Sequence, residues 1–181
     1  MKNKSSQSEP ELSRPLRAEK VSANGVEEKI VASENERQAL AARFDLIAIG
    51  ALEAKLHIVP KQAGTVFEVM GTFKADVTQR CVATLEPLAA HIEQPIKANF
   101  GASFAEAGSG AAEQAMSEDD LEPMINGVMD LGELVAQNLG LALDPYPRKP
   151  DIPPVEAEFG EPIVKTNPFA KLVSLKDRKK E

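Results

Sequence analysis

Between residues 33 and 147 the spacing of apolar side chains changes several times, and each change predicts an element. Ser33 with Glu36 is a capping-box signal, and Ala39, Leu40, Phe44 and Ile47 recur at helical spacing, predicting a helix over 34–47. Gly50 punctuates the chain, and the period becomes two. In ALEAKLHIVP, Leu52, Ala54, Leu56 and Ile58 share one face while Glu53, Lys55 and His57 share the other, predicting a half-buried strand over 51–60. From 66 to 82 the odd positions Phe67, Val69, Phe73, Ala75, Val77 and Cys81 form an apolar face. That run is longer than an ordinary strand, so a bend or bulge is expected at Gly71. A third strand, 91–104, alternates Ile92, Ile96, Ala98 and Phe100 with Glu93, Lys97 and Asn99. Leu85, Glu86 and Pro87 link the two strands.

Helical spacing returns in DLGELVAQNLGLALDP. Asp130 is placed to cap, Glu133 forms a box-like pair with it, and Leu131, Leu134, Val135, Leu139 and Ala142 make a stripe over 130–143. Pro145 and Pro147, either side of Tyr146, stop the helix. The predicted architecture is α+β: an antiparallel, bent sheet packed with about two helices, spanning 33–147.

Outside this pattern the chain loses its large apolar groups. Residues 1–32 are rich in Ser, Glu, Lys and Arg and are expected to be a disordered tail. The stretch 105–127 is rich in Ala, Gly and acids and is expected to be a mobile loop. Residues 148–181 begin Pro-rich and end basic, with Phe169, Leu172 and Val173 at the spacing of a short helix over 168–176.

Charge sharpens the choice of partner. The 181 residues carry a formal charge of -7, which opposes whole-molecule attraction to phosphate. Between Ala98 and Pro147 there are nine acids and no Lys or Arg, so Asp119, Asp120 and Glu122 are candidates for contact with a basic protein. From 165 to 181 six bases face two acids, a balance of +4, and Phe169, Lys171, Leu172 and Lys176 are candidates for docking on a charged partner. No run reaches the length of a membrane helix and the N-terminus is polar, so a cytoplasmic protein is expected.

Catalytic and metal chemistry find little support. Cys81, His57 and His91 are scattered over separate elements, away from the clustered spacing of a zinc site, and no cofactor is expected. A Cys81–His91 pair across a hairpin is conceivable, but the parity of Cys81 favours a small buried hydrophobe. The carboxylates of SEDDLEP sit in a stretch whose composition predicts solvation. Nucleotide-binding and hydrolase signatures are missing, and no small-molecule substrate is evident. The expectation is a protein that is not an enzyme, with an RNA-processing enzyme and a general interaction module as the alternatives.

The order of elements resembles the YceD family, the large ribosomal RNA subunit accumulation proteins of bacteria and plastids. The likeness is carried by G-x-F-x-A-x-V-x-x-x-C from Gly71 to Cys81, by TLEP with Leu85, Glu86 and Pro87, and by the acidic insertion. It extends to DLGEL with Asp130 and Leu131, and to LALDPYPRKP with Pro145, Tyr146 and Pro147. The resemblance implies a role in large-subunit biogenesis through an early ribosomal protein or precursor large-subunit rRNA. Many members carry C-x-x-C at this turn, often with a second cysteine pair after the last helix, together resembling a metal site. Here the turn reads Cys81-Val82-Ala83-Thr84 and the later stretch PRKPDIPP, so three of four ligands are gone and Cys81 is expected to serve packing.

Overall fold

The structure is a computed structural model, and it describes residues 10–102 and 121–150. The described residues up to Lys149 belong to one compact unit. Within it, alternation builds three long strands in succession: β3 (Ala48–Lys61), β4 (Val66–Arg80) and β5 (Pro87–Ala102). With β2 (Val26–Val31) on one side and the short β6 (Glu122–Met124) on the other they form a five-stranded sheet, order β2-β3-β4-β5-β6, antiparallel except where β6 runs parallel to the end of β5. Helices α1 (Glu34–Arg43) and α2 (Leu131–Ala142) pack on one face, together with a two-stranded ribbon of β1 (Pro15–Arg17) and β7 (Val128–Asp130). The α+β class is therefore as the sequence predicts.

The core lies between these layers. Leu52, Leu56, Ile58, Val69, Phe73 and Val77 from the sheet are buried in one cluster with Leu40, Leu131, Val135 and Leu139 from the helices. The opposite face is open and polar: Lys55, Thr72, Lys74 and Asp76 are exposed on it.

Several boundaries differ from expectation. Residues 10–32 are not a disordered tail. Leu12, Leu16 and Ile30 are buried there, β1 pairs with β7, and β2 pairs with β3. Asp130 both caps α2, accepting from the N–H of Gly132 and Glu133, and accepts from the Ser13 hydroxyl and the Arg14 N–H. Gly132 permits this approach, since a Cβ there would lie 2.6 Å from the Leu12 carbonyl oxygen. Glu133 makes no reciprocal box with Asp130. It forms a two-pronged ion pair with Arg43, which also reaches Glu11.

Helix α1 ends at Arg43, earlier than 47, because Asp45 turns into the left-handed region (φ 52°), and the Leu46 N–H then donates to the Ala41 carbonyl. The irregularity expected at Gly71 lies instead in β3, between Ile49 and Ala51, where burial shifts from odd to even positions. The β4 ladder runs unbroken through Gly71, whose lack of a side chain answers a different need: a Cβ would sit 2.1 Å from the Lys55 carbonyl oxygen. Of the expected loop 105–127, residues 122–124 form β6, and Asn126 and Gly127, both at positive φ, make a tight turn into β7. The rest of that loop, the short helix expected over 168–176 and the tail after Pro150 lie outside the described residues.

Candidate partner interface

Where β4 ends, the chain makes a compact turn before β5, and the segment leaving α2 is laid against it. The Cys81 N–H donates to the Glu86 carbonyl at 2.9 Å and the Leu85 N–H to the Cys81 carbonyl at 2.8 Å, closing the turn. Leu85 takes a left-handed backbone (φ 61°) that glycine or asparagine adopts more cheaply. Gln79, the one buried polar side chain among the described residues, donates from Nε2 to the Asp144 carbonyl at 2.9 Å. The Asp144 carboxylate accepts from the Tyr146 N–H, the Val82 N–H donates to the Pro147 carbonyl at 2.9 Å, and Lys149 pairs with Glu86 at 2.6 Å. That ammonium keeps the Glu86 carboxyl below the usual range. Pro147 is buried, whereas Pro87 opens β5 and, like Pro145, is exposed.

Cys81 sits inside this corner, fully buried but apart from the main apolar cluster. The Thr84 hydroxyl, then the N–H groups of Lys149, Thr84 and Ala83, hydrogen-bond its sulfur and bring the thiol down to about 6 against the opposing effect of burial. The packing role expected of it is thus joined by a polar one. The metal site that the resemblance implies does not fit here: Cys81 is the one sulfur ligand left at the turn, and the groups meeting it are hydrogen-bond donors rather than ligands. Among the described residues no three His, Cys, Asp or Glu side chains are grouped to hold a metal ion.

Cys81 and His91 are not brought together as a pair: His91 lies on the open sheet face opposite Asp76 and shares a 2.6 Å contact with it. His57 lines a groove of about 480 Å³ on that face with Lys29, Lys55 and Met70. Of the residues proposed for partner contact, Glu122 is half-buried in β6. Asp119, Asp120, Phe169, Lys171, Leu172 and Lys176 lie outside the described residues.

What the sequence reading missed is the exposure of the corner itself. Leu85 is 69% exposed and Tyr146, the only tyrosine in the chain, 74%; Val82, whose N–H donates to the Pro147 carbonyl, is exposed too. Arg80 and Arg148 each stand two residues from a member of this patch, and both are exposed. Among the described residues neither Arg has an ion-pair partner, in contrast to Lys149. The turn motif was legible as a motif, but apolar residue type alone does not distinguish an exposed Leu from a buried one. Among the described residues no helix is long and apolar enough to cross a membrane.

Comparison with known proteins gives one match. A family model described as "Large ribosomal RNA subunit accumulation protein YceD" matches residues 69–176, a span that contains most of β4, all of β5, the turn between them, α2 and the segment after it. No curated protein and no solved structure matches the chain.

Proposed function

The chain belongs to the YceD family, and from that premise we propose that it is a non-enzymatic, cytoplasmic factor supporting the accumulation of large-subunit ribosomal RNA, by binding an early ribosomal protein or the precursor RNA. The observation that carries this reading is the family match from within β4 through the turn, β5 and α2, at whose corner apolar and cationic side chains face solvent. Support for binding over turnover comes from the separation of the candidate nucleophile and base: His91 contacts Asp76 on the open sheet face, while Cys81 is buried in the corner among hydrogen-bond donors. The nine acids between Ala98 and Pro147 suit a basic ribosomal protein, and the +4 balance over 165–181 suits RNA phosphates.

Deleting the gene in its own host and measuring the ratio of large- to small-subunit rRNA tests the role. A fall in that ratio, restored by the full chain, is expected; an unchanged ratio overturns the reading. Incubation of purified protein with precursor RNA is expected to leave its length unchanged, and chelator-sensitive cleavage would establish the enzyme alternative.

A further inference from the structure

The corner combines three features that stability does not explain. Leu85 occupies a strained left-handed position while contributing almost nothing to the core. Tyr146 presents its ring to solvent although its backbone is fixed on both sides, by the Asp144 carboxylate and by the Val82–Pro147 hydrogen bond. Arg80 and Arg148 make no ion pair among the described residues, on a chain whose overall charge is -7. Backbone bonds bring the 80–86 turn against 144–149, so exposed Val82, Leu85 and Tyr146 and the cations Arg80 and Arg148 gather at one corner where Glu86 is already paired with Lys149, a surface complementary to an anion that also carries flat apolar groups. Basic proteins are disfavoured here by those cations, whatever the acidic stretch elsewhere attracts.

We propose that this corner binds an unpaired segment of RNA, with a base stacked on Tyr146 and packed against Leu85 and Val82, and adjacent phosphates contacted by Arg80 and Arg148. Unpaired bases offer π-faces to an aromatic side chain regardless of sequence, whereas a duplex keeps them stacked on each other. The backbone hydrogen bonds of the corner hold this surface in place before RNA arrives, so little side-chain and loop freedom is lost on binding. This inference rests on the family reading above and specifies the partner for one of its surfaces.

The test uses the full chain and a fluorescently labelled, unstructured RNA of about 12 nucleotides, chosen to span one stacking platform and its flanking phosphates, with a hairpin of the same length as control, followed by anisotropy over a salt series. The unpaired RNA is expected to bind in preference to the hairpin. Tyr146→Ala should weaken binding about 5- to 100-fold, while Tyr146→Phe stays within about twofold. Arg80→Gln with Arg148→Gln should lower the log–log salt slope by about 1.4, two phosphates on a single strand. Leu85→Gly relieves the left-handed backbone, so it should fold normally and still bind more weakly, separating a recognition role from a structural one. Equal affinity of the wild type and Tyr146→Ala, or of unpaired RNA and hairpin, overturns the proposal. So does a Tyr146→Ala variant that keeps RNA affinity but loses nuclease-resistant association with precursor subunits, which assigns the corner to a protein and leaves the biogenesis role standing. Failure of that role appears separately, as an unchanged rRNA ratio on gene deletion.

Discussion

In the layer between sheet and helices, Phe73, Val69 and Leu139 are held by contact with other apolar groups. At the corner, Gln79 and Val82 are held by hydrogen bonds to Asp144 and Pro147, the Gln79–Asp144 pair being separated by 65, and Cys81 is held by Thr84 nearby and by Lys149 far along the chain. The first region tolerates no missing volume but asks little of any one atom. The second asks for particular donors and acceptors and leaves its apolar side chains facing outward. Burial can be built from periodicity, whereas a presented surface needs a scaffold of directed bonds beneath it.

The comparison breaks most visibly in the core. Phe73→Ala removes a fully buried ring and should cost about 3–5 kcal/mol, read as a lower urea midpoint with binding at the corner retained wherever the protein is still folded. At the corner, Gln79→Leu leaves the Asp144 carbonyl without its donor and should cost about 1–2 kcal/mol. Here the order of effects should invert: the smaller loss of stability should come with faster amide exchange over 144–149 and weaker RNA binding.

Two ionisable groups sharpen the contrast through pH. Glu36 accepts two bonds from Arg14 and closes the Ser33 capping box, and these hold its carboxyl at about 2, below its ordinary 4.5. Between those values the unfolded chain binds the proton and the folded chain does not. The stabilisation is complete above pH 4.5 and fades as pH falls toward 2. Glu36→Gln should cost about 1 kcal/mol near neutrality and flatten the acid limb of a stability–pH curve. For Cys81 the window lies higher, from about 6 in the folded chain to 9 in the unfolded one. The donors around its sulfur stabilise the fold fully above pH 9, and that contribution declines to nothing as pH falls through 6. Denaturation midpoints of wild type and Cys81→Ala should therefore diverge as pH rises from 6 to 9; parallel curves would return Cys81 to a purely apolar role. The smallest effect is that of Leu85→Gly, expected to change stability by about 0.5 kcal/mol or less, since relief of the strained backbone offsets the added entropy of the unfolded glycine.

Legibility followed the same division. The faces of β3, β4 and β5 and the Ser33 and Asp130 caps could be read because each rests on neighbours within a few residues. Gly50 interrupted the reading of β3 because a bulge exchanges the two faces, so Ile49 falls out of step with Leu52. Residues 10–32 looked too sparse to order: their buried side chains, Leu12, Leu16, Ile30 and Ala32, are scattered, and their strands pair with partners distant in sequence. The Asn126-Gly127 turn carried a recognisable signal that the surrounding acidic composition masked. At the candidate interface the residues were visible in the motif, but the main-chain bonds that turn Tyr146 and Leu85 outward have no signature in residue type.

The shared carboxylate of Asp130 also sets an order of events during synthesis. Ser13 and Arg14 emerge from the ribosome well over a hundred residues before the group that anchors them, and β1 has no partner until β7 exists. The sheet from β2 to β5 pairs each strand with its neighbour in the chain and can zip up as it is made. The first strand must instead wait for the last, so a nascent chain carries a loose leading end until β7 is made, and truncated translation products ending before Asp130 are expected to be cleaved first at that end.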